Sequence, residues 1–273
     1  MKVIAYSNRG PTREHNEDAL FASGNVISGC SMAAPLEIDI EAQPGCLAVI
    51  DGMGGYEGGE LAARLAALSF LEDSGGWYVS AMMGRERIER ILERAVQLIG
   101  QTVAQTPGLA SMGAALAGVA FCADAMLAFN CGDCRVYRQQ SGYLQRLTHD
   151  HSIVQELFDQ GEIEEDEMRT HPRKNTVTAC VSADPSYLTV AFHEVPYTSG
   201  GRFLICSDGV WEALSIEELE ASLKDRTMAE GASALAKGLL DLGGECRDNV
   251  SFLLVDTGEI DCANIPTKGN DDA

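Results

Sequence analysis

No apolar stretch in this 273-residue chain approaches the roughly 18 residues that a membrane-spanning helix needs, so nothing is expected to cross a bilayer. Positive charge is scarce: 20 Lys and Arg stand against 41 Asp and Glu, a formal charge of -21. That balance argues against a nucleic-acid backbone or an anionic membrane surface as partner. A secretory leader is not expected, because Ser7-Asn8-Arg9-Gly10 interrupts the short apolar run after Met1-Lys2. Nine cysteines without such a leader then point to reduced thiols in a cytoplasmic protein. Cys131–Cys134 has no second Cys-x-x-Cys at zinc-ligand spacing, and it sits in a strand–turn–strand context rather than at a helix start. Zinc and thioredoxin-like chemistry are therefore disfavoured. His-Glu-x-x-His and Gly-Lys-Ser/Thr are missing too, which excludes the common metalloprotease and P-loop signatures.

What is present is 45% apolar residues, enough for a sizeable core. Residues 1–257 are expected to form a single domain, and 258–273 a flexible tail. Strands are expected at 3–6, 47–50, 113–123, 126–131, 134–139, 188–193, 203–206 and 250–255. Helices are expected at 58–71, 85–101, 152–160, 216–224 and 228–241; Ile88, Ile91, Leu92, Ala95 and Ile99 share one face of the second. Residues 22–46 are read as an irregular excursion, and 152–185 as a flap with acidic and basic stretches. Helices grouped between runs of strands argue for an α+β fold with antiparallel sheets.

Five acidic stations punctuate this pattern: Asn16-Glu17-Asp18, Asp51-Gly52, Gly132-Asp133, Asp208-Gly209 and Asp248-Asn249. The last four adjoin apolar runs. An Asp at the end of a buried strand points a hard oxygen at the rim of a sheet, and several meeting at one rim would suit Mg²⁺ or Mn²⁺. Alone, each dipeptide reads better as a turn; jointly they point to metal-assisted hydrolysis of a phosphate ester. Arg13 is either a surface ion-pair partner or a bidentate phosphate clamp. His149 and His151 read as ordinary loop residues.

The ordered set Arg13–Asp18, Asp51-Gly52-Met53-Gly54-Gly55 with Gly59-Glu60, Gly132-Asp133-Cys134-Arg135, Asp150-His151-Ser152, Ser207–Trp211 and Asp248-Asn249-Val250 resembles the metal-dependent protein phosphatases of type 2C, the compact bacterial members most. The resemblance runs from about residue 5 to 256. It implies a four-layer α-β-β-α sandwich and a cleft holding two core Mn²⁺ or Mg²⁺ ions bridged by Asp51. The Gly52 carbonyl would join one ion, Asp208 and Asp248 the other, with Glu17 and Asp18 assisting partly through water. A third, weaker ion would use Asp133 and Asp208, and Arg13 would hold the substrate phosphate. The implied reaction is one-step hydrolysis of phosphoserine or phosphothreonine in proteins by a metal-bridging hydroxide. The implied setting is a cytoplasmic monomer opposing a bacterial serine/threonine kinase.

Four departures accompany the match, one being a 22–46 excursion longer than in the smallest relatives. Met53 stands where eukaryotic members carry a proton-donating His, so a metal-bound water would act as the acid. Gly113-Ala114-Ala115 replaces Gly-Thr-Thr, and Cys134 replaces a common Ser. Two alternatives stay open on this reading: a catalytically weak module that binds phosphoproteins or a kinase, and a phosphatase of small phosphate esters. A disulfide between Cys131 and Cys134 under oxidative stress is a further expectation.

Overall fold

The computed structural model describes residues 1–40, 45–55, 57–73, 77, 79–196 and 201–258. Its strands are β1 (Lys2–Asn8), β2 (Ala19–Ala22), β3 (Asn25–Ser28), β4 (Leu36–Asp39), β5 (Cys46–Met53), β6 (Gly113–Phe121), β7 (Ala125–Cys131), β8 (Arg135–Gln140), β9 (Tyr143–Arg146), β10 (Val181–Ser182), β11 (Ala191–Pro196), β12 (Arg202–Cys206) and β13 (Val250–Asp256). The helices are α1 (Glu57–Glu72), α2 (Ala81–Gln105), α3 (Ile153–Asp159), α4 (Glu165–Met168), α5 (Asp208–Ala213), α6 (Ile216–Leu223) and α7 (Met228–Asp241).

Two antiparallel sheets result. One runs β4-β1-β13-β12-β8-β9, and the other β11-β7-β6-β5-β2-β3 with β10 beside β6. Strands buried on both faces read as continuous apolar runs. The nine residues of β6, Gly-Ala-Ala-Leu-Ala-Gly-Val-Ala-Phe, are all buried. Three apolar seams follow. Ile88, Leu92, Ala95 and Ile99 of α2 and Ala63, Ala66 and Phe70 of α1 pack on one sheet through Ile50, Leu116 and Phe129. Leu47, Val49, Val136, Ile205, Leu253 and Val255 fill the space between the sheets. Leu219, Leu235 and Leu239 of α6 and α7 cover Ile4, Leu204, Phe252 and Leu254 on the far side. This α+β arrangement of two antiparallel sheets flanked by helices is the expected sandwich.

The helix starts are chemically encoded. Ser215 with Glu218 and Thr227 with Glu230 form capping boxes at α6 and α7, and Ser80 caps α2. Differences from the sequence reading fall on short elements: β2, β9, β10, α4 and α5 are not among the expected strands and helices. Residues 22–46 are not wholly irregular: β3 pairs with β2, and β4 pairs with β1. Four-residue edge strands carry too little period-2 signal to stand out among Gly29 and Pro35. The strand expected at 188–193 lies at Ala191–Pro196, because the Pro185–Tyr187 turn delays it. The expected tail lies outside the described residues except for Gly258.

Candidate active site

One end of the sandwich gathers the acidic stations. A cleft of about 200 Å³ is lined by Arg13, Glu17, Asp51, Gly52, Asp133, Asp208 and Asp248, together with Met53, Gly54, Gly55, Asn175, Val177 and Asn249. Seven of the eight residues singled out from sequence thus face one space. Asp18 is the exception: it is buried behind the cleft, where Ser207 Oγ donates to its Oδ2 at 3.0 Å.

Each side chain is positioned by a different element. Asp51 lies inside β5, opposite Ala115 of β6. Asp133 occupies the β7–β8 turn after Gly132, whose φ of 104° requires glycine. Asp208 opens α5 directly after β12, and Asp248 immediately precedes Asn249 and β13. Gly52 meets α1 at close range: a Cβ there would lie 2.1 Å from the Gly59 carbonyl oxygen and 2.5 Å from that of Glu17. A Cβ on Gly59 would lie 1.9 Å from Glu17 Oε2. Any side chain at either position would force the Glu17 and Gly52 oxygens out of place.

The loop carrying Arg13 and Glu17 is tied down by residues whose roles were not legible in sequence. Asn249 Nδ2 donates to the carbonyls of Arg9 (3.0 Å) and His15 (2.8 Å), while its Oδ1 accepts from Glu17 N–H (2.9 Å). Asn16 Nδ2 donates to Ser7 Oγ at 2.8 Å, and its Oδ1 accepts from Asp18 N–H at 3.2 Å. Arg13 donates from Nε to the Arg247 carbonyl at 3.1 Å and from Nη2 to Asp248 Oδ2 at 2.8 Å. On the other side, Asn130 Nδ2 and His151 N–H both donate to the Gly132 carbonyl at 3.0 Å, and His151 Nδ1 accepts from Gly132 N–H at 3.2 Å. His151 is therefore a holder of the Asp133 turn and not an ordinary loop residue.

Packing carboxylates this closely is costly in the ionised state. Burial first, and then Asp208, Asp18, Asp248 and Asp133, push the Asp51 carboxyl well above the usual range. Asp208 is likewise held well above it by burial and by Asp133 and Asp248, against an opposing hydrogen bond with Asp51. Asp18 is raised to about 7 by burial, its serine hydrogen bonds opposing. Asp133 is raised to about 7 by burial and by Asp150. Such mutual repulsion is what bound cations relieve.

Among the described residues, no three His, Cys, Asp or Glu side chains stand together as a ready-made metal group. The chemistry of the donors nevertheless fits a hard divalent ion. Every cleft carboxylate is an oxygen donor, and Asp18 Oδ1 and Asp208 Oδ1 are buried with no hydrogen-bond partner. Cys131 and Cys134 are free and buried. Burial pushes the Cys131 thiol up to about 12, and burial with Asp51 and Asp133 pushes Cys134 well above the usual thiol range. Neither thiol is poised as a nucleophile. No helix among the described residues is long and apolar enough to cross a membrane.

Known proteins are similar to this chain in sequence and fold. A serine/threonine phosphatase stp of Listeria innocua is 31% identical over 271 residues, covering 97% of each chain. A solved structure of the Mycobacterium tuberculosis serine/threonine phosphatase PstP/Ppp superposes with a TM-score of 0.75 at 26% identity, covering 95% of this chain and all of that one. The PstP catalytic domain, solved in complex with two manganese ions, superposes with a TM-score of 0.72 at 26% identity, covering 93% of this chain and 98% of that one. The family profile described as Protein phosphatase 2C matches residues 36–241. The chain belongs to the protein phosphatase 2C family of serine/threonine phosphatases.

Proposed function

We propose that residues 1–257 form one catalytic domain that hydrolyses phosphoserine and phosphothreonine in proteins, and that the cleft works with two core divalent ions. The observation that carries this is the convergence of Asp51, Asp133, Asp208 and Asp248 with Arg13 on one cleft. Asp51, Asp208 and Asp248 would hold the core ions together with the Gly52 carbonyl, Glu17 and Asp18 would support the set partly through water, and Asp133 with Asp208 would serve a third, weaker ion. When bound, such ions lower the pKa of water so that it can attack phosphorus at neutral pH, and they neutralise charge on the phosphoryl oxygens. Mn²⁺ is the first ion to test, given the manganese in the PstP structure.

The protein's own contribution is placement and charge. Arg13 lies at the mouth of the cleft with its side chain 48% exposed, within reach of a phosphate arriving from solvent. Its guanidinium would donate charge-assisted hydrogen bonds to two phosphoryl oxygens. Met53 lines the cleft and has no dissociable proton, so it cannot protonate the departing serine or threonine oxygen; a water in the cleft would do so. Ala114 and Ala115 are fully buried in β6 and do not line the cleft.

Asn175 of the flap reaches the cleft wall, so flap and catalytic groups share one surface. This favours a protein substrate that spans both over a small ester. The physiological partner would be a phosphorylated target of a serine/threonine kinase, met by a cytoplasmic monomer. The deciding experiment is a Mn²⁺-titrated release of phosphate from a phosphothreonine peptide, run beside a panel of small phosphate esters and a chelator control. Metal-dependent turnover that favours the peptide is expected. Turnover that persists in chelator, or that favours the small esters, would refute the reading.

A further inference from the structure

Trp211 lies in α5, 78 positions from Asp133 in the chain, yet its indole Nε1 donates to the Asp133 carbonyl at 3.0 Å with both partners buried. The indole is itself held. The Arg135 guanidinium stacks on it, its central carbon 3.5 Å from the ring centroid. Arg135 in turn grips buried Asp150 through Nε (3.1 and 3.0 Å) and Nη2 (2.6 Å), and its Nη1 donates to Tyr137 Oη at 3.1 Å. The side-chain exposures of Arg135 and Asp150 are 12% and 1%.

These contacts close a frame around one turn. Asn130 and His151 fix Gly132, and Trp211 fixes the next residue, Asp133. Trp211 and Arg135 also border a cavity of about 420 Å³ alongside Tyr137, Met168 and Leu214. Apolar packing therefore does not enclose this pair on every side, and directed bonds are needed to set the indole plane. A carboxylate on a glycine-preceded turn is only as well aimed as its backbone. With the preceding residue bonded on one side, the indole N–H fixes the next peptide carbonyl, that of Asp133, and so restrains the backbone from which the carboxylate projects.

We propose that Trp211, held by Arg135 on Asp150, is a positioning residue that aims the Asp133 carboxylate into the cleft and so sets the affinity of the metal ion that Asp133 serves. This rests on reading Asp133 as a metal ligand. Trp211 does not touch the ion or the substrate; it acts through the backbone of the ligand.

The test is calorimetric titration of the full chain with Mn²⁺. Trp211→Phe keeps a ring under Arg135 and removes only the donor. It should weaken the lowest-affinity Mn²⁺ about tenfold, the scale of one hydrogen bond, and leave tighter ions unchanged. Arg135→Lys should reproduce the effect by loosening the indole. A Trp211→Phe isotherm that superimposes on wild type, while Asp133→Asn loses the weak ion, would overturn the positioning role and leave the ligand reading intact. An unchanged isotherm for Asp133→Asn would remove the ligand reading and the inference with it. A second readout survives poor folding of the Trp211 variant. The chain has two tryptophans, so in Trp77→Phe the emission reports Trp211 alone. Mn²⁺ should quench that emission with the midpoint of the weak ion, and an unquenched indole at saturating Mn²⁺ would sink the idea.

Discussion

Arg13 Nη2 lies 2.8 Å from Asp248 Oδ2, although the two residues are 235 positions apart. The group proposed to bind phosphate is thus docked on a group proposed to bind metal. Their side chains are 48% and 27% exposed, so the pair adds little to stability, and its value is orientation. Arg13→Ala should lower kcat/KM on a phosphothreonine peptide by about 10- to 100-fold, the range of a lost charge-assisted hydrogen bond. Most of the loss should fall on KM, with the melting temperature unchanged. Arg13→Lys should recover only part, because an ammonium cannot bind two oxygens in one plane. Steady-state kinetics on the two variants check this.

Asp51→Asn should lower turnover of the peptide by about three orders of magnitude, ~4 kcal/mol of barrier. In chelator the same variant should melt higher than wild type, because it removes one of several mutually repelling buried carboxyls. Parallel assays of p-nitrophenyl phosphate with Mn²⁺ and melts without it test both. Near-wild-type turnover would end the metal assignment of this residue.

Metal-free stability should depend on pH in a direction set by the raised carboxyls. Asp18 and Asp133 sit at about 7 when folded, against roughly 4 for an unfolded Asp. The folded state therefore binds more protons than the unfolded state between these values, and stability falls as pH rises through that window. A bound divalent ion replaces those protons. The gain in melting temperature on adding Mn²⁺ should be small near pH 5 and larger near pH 7.5. A gain that shrinks as pH rises would contradict the electrostatic account.

Two of the flap's basic residues, Arg169 and Lys174, are used internally. Arg169 Nη2 donates to the carbonyls of Trp211 and Leu214, and Lys174 Nζ pairs with Glu212, so both side chains hold α5. Arg173 is exposed and stays available to a substrate. Replacing 162–174 wholesale should therefore lower both stability and activity, whereas Arg173→Ala should shift preference among phosphoprotein substrates with small aryl esters unaffected. Competition assays with acidic and basic phosphopeptides read this out; equal effects on both substrate types would count against it.

The legible part of this protein was whatever repeats a local rule. Asp51 and Asp208 stand out because each follows an apolar run, Leu-Ala-Val-Ile or Leu-Ile-Cys-Ser, and Asp248 because it precedes one, Val250–Val255. The expected helix at 228–241 coincides with α7, Met228–Asp241, whose start the Thr227–Glu230 capping box fixes. The holders were not legible. Asn249 bonds across 240 and 234 positions and Trp211 across 78. Such bonds leave no periodic trace, and Asn and Trp read locally as a turn residue and a core residue. β3 and β4 were hidden for a different reason: edge strands of four residues owe their shape to the strands they pair with.

Among the described residues the first and last strands lie side by side, β1 pairing with β13 from Lys2↔Asp256 to Asn8↔Val250. Arg13 follows one of them and Asp248 precedes the other. The cleft therefore depends on the β1–β13 pairing being in place before Arg13 and Asp248 can meet.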